Sequence, residues 1–240
     1  MKHSILRWTV TTLVLSVALI ATQLLAQPSN ANDIAPFQTV FNTDFTSGGY
    51  GGIRTLGTGS IGISGVSGPV TKALLYWHGP TNTPDPTANS IVNFAGTDVV
   101  GVNIGLSNDN CWGFANSQAY LADVTTLVPG DGSYALANFI KPPLVEINGV
   151  SLIVFFNDGN TANNRDVVLF HGNDSNITNI FDADGWNVTL PGVNYSSGSA
   201  NLQLHVSDGQ AFSDDSLILN SVVLEAAGAV FNGTTVPNGA

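Results

Sequence analysis

An all-β fold, a two-sheet antiparallel sandwich or jelly roll with one short helix, is what this sequence predicts. Three observations point there. Short apolar segments rich in β-branched and aromatic residues recur between clusters of Gly, Pro, Asn and Asp. Helix-period patterning is nearly absent after residue 31. Of the 17 acidic residues, all but Glu146 and Glu225 are Asp, a residue of turns rather than of helix surfaces.

The expected strands, in chain order, are SIGISGV (60–66), VTKALLYWHG (70–79), SIVNFAG (90–96), VVGVNIG (99–105), SYALANF (133–139), VSLIVFFN (150–157), RDVVLFHG (165–172), WNVTL (186–190), ANLQLHVSD (200–208) and SLILNSVVLEA (216–226). Ten strands at this spacing suit two stacked sheets. LLYW, LIVFF and VVLF are continuously apolar and read as central strands, whereas NLQLHV alternates and reads as half-buried. The short helix falls on Gln118–Val128, where Ala119, Leu121, Ala122, Val124 and Leu127 make one partly apolar face before Pro129-Gly130-Asp131-Gly132 stops it. Residues 51–226 show no linker or composition break and form one β domain, with 227–240 as a C-terminal tail.

The N-terminus reads as an export signal over residues 1–31. Lys2 and Arg7 precede an apolar run from Thr9 to Ala26, and Ser29-Asn30-Ala31 offers a small-residue cleavage site. Its removal takes two of the six basic residues and none of the 17 acids, leaving a net charge of −13. Such a surface repels phosphate backbones and anionic headgroups. Nucleic acid is therefore not an expected partner, and no membrane insertion is expected after cleavage. The single cysteine, Cys111, excludes an internal disulfide and reads as a half-buried small hydrophobe.

Three stretches carry a family likeness. They are GGIRTLGTGSIGISGVSGPVTKALLYWHG (51–79), SQAYLADVTTLVPGDGSYALANF (117–139) and NGVSLIVFFNDGNTANNRDVVLFHG (148–172). In order and in motif they resemble a module of secreted and surface proteins of bacteria and archaea. The resemblance implies an extracellular β-sandwich domain, a type often fused to adhesive or anchoring segments and of unsettled function.

Candidate sites gather in the loops. Asp158, Asn160, Asp166, Asp174, Asp182, Asp184, Asp208, Asp214 and Asp215 supply the oxygens that calcium prefers, on adaptable segments. The same residues are also those that turns require, through Asx hydrogen bonds and positive φ, so both readings stand. Asp182-Ala183-Asp184-Gly185 opens like a calcium loop but lacks the later ligands of an EF-hand. Trp112 and Trp186 adjoin turns and could stack on a sugar ring, while Trp77 lies in an apolar strand and belongs to the core. His78, His171 and His205 show no metal or catalytic spacing, and no G-x-S-x-G presents a nucleophile.

The segment at 32–50 alternates apolar and polar, with Phe37, Val40, Phe41 and Phe45 available for burial. It is either the first strand of its own domain or a strand that pairs with the edge of a neighbouring subunit. The sequence thus points to a secreted, non-enzymatic structural or adhesive subunit that self-associates and is stabilised by calcium. The alternative is a calcium-dependent module whose partners are surface glycans. A secreted hydrolase ranks third.

Overall fold

The computed structural model describes residues 33–107, 113–174, 186–194, 196–207, 209 and 213–231. Twelve strands are formed among them: β1 (Ala35–Gly51), β2 (Gly59–Ile63), β3 (Val70–Thr81), β4 (Ile91–Phe94), β5 (Thr97–Val100), β6 (Val102–Ser107), β7 (Asn116–Asp123), β8 (Gly132–Ala137), β9 (Gly149–Phe156), β10 (Arg165–His171), β11 (Leu217–Leu219) and β12 (Val222–Glu225). They make a six-stranded sheet in the order β10-β1-β9-β3-β7-β6, a four-stranded sheet in the order β2-β8-β4-β5, and the separate hairpin β11-β12. Every pairing is antiparallel. The fold is all-β, as expected. Among the described residues no helix is long and apolar enough to cross a membrane.

The core lies where inward side chains of both sheets meet. Ala73, Leu75 and Trp77 of β3, Tyr120 and Ala122 of β7, and Val150, Leu152 and Val154 of β9 share one buried cluster with Ile61, Val92, Phe94 and Leu136 of the four-stranded sheet. Stacked rings reinforce it: Trp77 on Tyr120 with centroids 5.5 Å apart, and Phe94 on Tyr134 at 5.5 Å. The chain encloses this core by passing from one sheet to the other at Gly101. A Cβ there would collide with the Trp77 indole. On another side β1 and β2 approach so closely that a Cβ at Gly48 would strike the Gly62 carbonyl.

Several expectations are corrected. The helix at Gln118–Val128 is not formed: residues 116–123 are β7, and only Thr125–Leu127 make a 3-10 turn. Residues 116–122 are all buried, because β7 lies between β3 and β6 with both faces covered. Burial on two faces erases alternation, and the spacing of apolar residues that remains mimics a helix face. VVLF is not central, since β10 is an edge strand of its sheet. WNVTL and residues 200–207 form no ladder, and NLQLHV is exposed rather than half-buried. VVGVNIG is two strands divided at Gly101, and SLILNSVVLEA is a hairpin turning at Asn220-Ser221, both with positive φ.

The N-terminal segment is a strand of its own domain. Residues 35–43 of β1 pair with β10, and residues 44–51 pair with β9. Between these halves the ladder slips and Asn42 adopts φ 50°. This bulge bends the strand. The first half of β1 then folds with β10 across the outer face of the sheet, where Val40, Val167 and Leu169 pack on Leu74, Leu121, Ile153 and Phe155. The six-stranded sheet is therefore curled like half a barrel.

Candidate functional site

The two-residue period of β3 sends Ala73, Leu75 and Trp77 inward and Lys72, Leu74, Tyr76 and His78 to the outer face. On that face the curled β1–β10 ribbon leaves an open cleft of about 460 Å³. Its walls are Phe37 and His171 from the ribbon, with Leu74, Ile104 and Leu121 from β3, β6 and β7. An ion pair between Lys72 Nζ and Asp123 at 3.6 Å closes one side. Burial pushes the Asp123 carboxyl up, but the hydroxyl and amide of Thr125, and then Lys72, outweigh it and hold the group below the usual range.

The histidines, unremarkable in sequence, gather around Tyr76. The His171 ring lies edge-on to Tyr76 at 6.0 Å and stacks on Phe37 at 4.3 Å. His78 is two residues along the same face of β3. Ser151, the cross-strand partner of Tyr76, shares a hydrogen bond with His205 Nδ1. Burial lowers the His78 imidazole to about 4, lowers that of His171 as well, and raises the Tyr76 phenol. At neutral pH the face thus carries neutral rings. Among the described residues, no three His, Cys, Asp or Glu side chains are grouped so as to hold a metal ion.

Residues 200–207 cross this face as an extended strap. Gln203 Nε2 donates to Ser47 Oγ at 2.6 Å, and His205 bonds to Ser151. These two bonds tie the strap to the sheet, and residues 201–206 are all exposed. Leu202, Leu204 and Val206 are 48%, 44% and 37% exposed.

The oxygen-rich loop between β9 and β10 is a run of Asx turns. Asn157, Asp158 and Asn160 accept from the amides of Gly159, Asn160 and Ala162 at 2.8, 2.7 and 3.1 Å. Asp158 also accepts from Asn163 Nδ2, and its bond from the Asn160 amide, then that from Asn163, holds its carboxyl below the usual range. Asp166 accepts the Asn42 amide at 2.9 Å and so secures the bulge of β1.

Asp174 lies beyond the other end of β10, where it accepts from the Ile34 amide. Asp214 bridges to Gly228 and accepts the Phe231 amide at 3.0 Å, and Asp215 is exposed beside it. The described residues of the expected calcium set are thus placed at separate ends of the ribbon and at the foot of the hairpin. Asp182, Asp184, Asp208, Trp112 and Cys111 lie outside the described residues.

Trp186 is 37% exposed, but its Nε1–H donates to the Asp174 carbonyl and its ring meets Phe231 edge-on at 5.3 Å. The indole therefore ties two segments together. Of the N-terminal set, Phe37 lines the cleft, Val40 packs on the outer cluster, Phe45 lies 6.2 Å from the Phe155 ring, and Phe41 stays 71% exposed. No protein-family model matches the chain, and no curated protein or solved structure is detectably similar to it.

Proposed function

We propose that this chain is an exported, non-enzymatic structural or adhesive subunit of the cell surface or extracellular matrix, acting through its surfaces. In this reading residues 1–31 are a leader removed on export. The two antiparallel sheets and their common core are a β-sandwich of the jelly-roll kind, in keeping with the resemblance to secreted surface modules. One observation carries the reading. Among the described residues the hairpin β11-β12 pairs only with itself and leaves Ile218, Val222 and Val223 55–60% exposed. A lone two-stranded hairpin is marginally stable in water, so apolar residues displayed this way are suited to a partner.

The test uses residues 32–240 on a surface, challenged with matrix polysaccharide, with a glycan array with and without chelator, and with the same protein in solution. Binding that is lost in Ile218→Ser/Val223→Ser supports the reading. Equal binding by that variant, or no binding in any arm, overturns it. A sugar signal abolished by chelator favours the calcium-dependent carbohydrate-binding alternative instead.

A further inference from the structure

We infer that the cleft between the β1–β10 ribbon and β6 is a binding site for a small neutral amphiphile, an aliphatic alcohol. Its chain lies along Leu74, Ile104 and Leu121, and its hydroxyl meets the Lys72–Asp123 pair. The inference goes beyond the surface-association reading and does not rest on it.

The fold itself builds the cleft. Just past β10, the side chain of Asn173 is 6% exposed and donates to the carbonyls of Gly105 and Ser117 at 3.4 and 3.0 Å. The end of the ribbon is thereby pinned to β6 and β7, and the cleft lies beside that pin. The β6–β7 ladder slips between Asn103 and Gly105, which leaves Ile104 out of register and packed on the outer apolar cluster. Phe37 of the ribbon and Val102 of β6 also line the cleft, and both keep apolar surface in water, at 38% and 70% exposed.

The ligand class follows from what the walls leave unused. Asn103 lines the cleft, but its Oδ1 accepts the Gly105 amide and its Nδ2 donates to Gln118. Asp123 Oδ1 is taken by the amide and hydroxyl of Thr125. A sugar or a peptide backbone laid on Leu74, Ile104 and Leu121 would bury donors and acceptors without partners, a cost that hydrocarbon does not incur. Spare capacity remains at one end. An ammonium has three N–H donors, and among the described residues Lys72 Nζ has only Asp123 Oδ2, at 3.6 Å, as its partner.

Charge narrows the head group. Lys72 and Asp123 offset each other, while the chain as a whole carries −11. An anionic head meets that field and the Asp123 carboxylate, and a cationic head meets Lys72. A hydroxyl accepts from the ammonium and donates to the carboxylate at once. Size sets the chain. At about 30 Å³ per water-sized group, the cleft of about 460 Å³ admits on the order of 15 non-hydrogen atoms at most.

The test is a titration of residues 32–240 with hexanol, octanol and decanol, read by methyl NMR shifts of Leu74, Ile104 and Leu121. A fully buried methylene strengthens binding about fourfold, so a cleft open on one side should give about three- to tenfold for each pair added. Octanol should bind more tightly than octanoate or octylammonium at neutral pH. Lys72→Gln should weaken all three alcohols by a common factor and leave the dependence on chain length intact. Val102→Asp, at an exposed position, should keep the wild-type melting temperature and weaken octanol at least about fivefold. Should it misfold, Phe37→Ser must give the same loss.

Shifts at the three residues that do not saturate, or an affinity indifferent to chain length, overturn the inference. So does tighter binding of either charged homologue, or a folded Val102→Asp that binds octanol like wild type. Methyl glucoside moving these methyls where the alcohols do not overturns it in favour of a sugar. None of these outcomes touches the association reading, which is decided at Ile218 and Val223.

Discussion

Trp77 Nε1–H donates to the backbone carbonyl of Asn89 at 3.0 Å, and both residues are 1% exposed. Asn89 sits at the centre of a fully used polar hub. Its amide N–H donates to Tyr120 Oη, its Nδ2 to the Phe139 carbonyl, and its Oδ1 accepts from Lys141 Nζ. Asn89→Leu keeps the backbone bonds but strands the Phe139 carbonyl, while the Lys141 ammonium, deprived of Asn89 Oδ1, still donates to the Asn138 carbonyl. A buried polar group left unpaired costs about 1–3 kcal/mol, and a loss of about 1–3 kcal/mol is expected from chemical denaturation followed by tryptophan fluorescence. Asn93→Ala, which removes an exposed bond to Asp98, should cost under about 0.5 kcal/mol. Equal effects at the two sites would refute the hub.

Gly101 is held against the Trp77 indole and bonded to the Ser90 carbonyl at 2.7 Å. Its Cα hydrogen occupies space that no side chain can share, because Trp77 is itself fixed between Tyr120 and Phe139. Gly101→Ala should therefore destabilise by about 1–3 kcal/mol through overpacking, against the usual gain from replacing a glycine. Gly130→Ala, where an added Cβ meets nothing, is the control. Thermal melts of both variants decide the matter.

Strand identity was readable wherever one face is buried or a turn punctuates the pattern. SIGI, VTKALLYW, SIVNF, SYALA and VSLIVFF all fall on strands near the expected bounds. Reading failed at Asn116–Asp123, where two-sided burial removes the period of two, and at VVLF, whose apolar outer neighbours come from the curl of β1 rather than from a central position. The curl depends on the bulge at Asn42, a single residue without a local signature. The outer-face cleft and the gathering of histidines at Tyr76 follow from that curl and from the long-range placement of 200–207. A clue was present in Lys72-x-Leu74-x-Tyr76-x-His78, an alternation masked by the equally apolar inner set. The Asp and Asn loops were legible as turns, and the bonds at Asn157, Asp158 and Asn160 show that use.

Acid should destabilise the fold before its carboxylates titrate. A histidine whose folded pKa is depressed binds its proton more readily in the unfolded chain. Its stabilising contribution is complete above about pH 6.5, declines as pH falls, and levels off below the folded value. His78 is lowered to about 4 by burial, and His171 shifts the same way. The melting temperature should thus fall between pH 6.5 and 4. His78 accounts for up to about 3 kcal/mol of this at 1.36 kcal/mol per pH unit, an upper bound. His78→Phe should flatten that limb of the curve. A melting temperature constant from pH 7 to 4.5 would be incompatible with buried neutral imidazoles.

The β9–β10 loop offers a test of what its oxygens are for. Asp158 Oδ1 accepts the Asn160 amide at 2.7 Å while Oδ2 accepts Asn163 Nδ2 at 3.1 Å. An asparagine can supply the first of these bonds with its own Oδ1, but it has no second oxygen, and alanine supplies neither. If turn-making is the role, Asp158→Asn should leave hydrogen exchange at Gly159–Ala162 close to wild type. Asp158→Ala should speed exchange at Asn160 several-fold and admit limited proteolysis within the loop. Both patterns should be indifferent to added calcium. Protection that appears only with calcium, and is lost in Asp158→Asn as fully as in Asp158→Ala, would mean that the carboxylate charge matters more than the turn, since an amide keeps the hydrogen-bond acceptor but loses the cation's counter-charge.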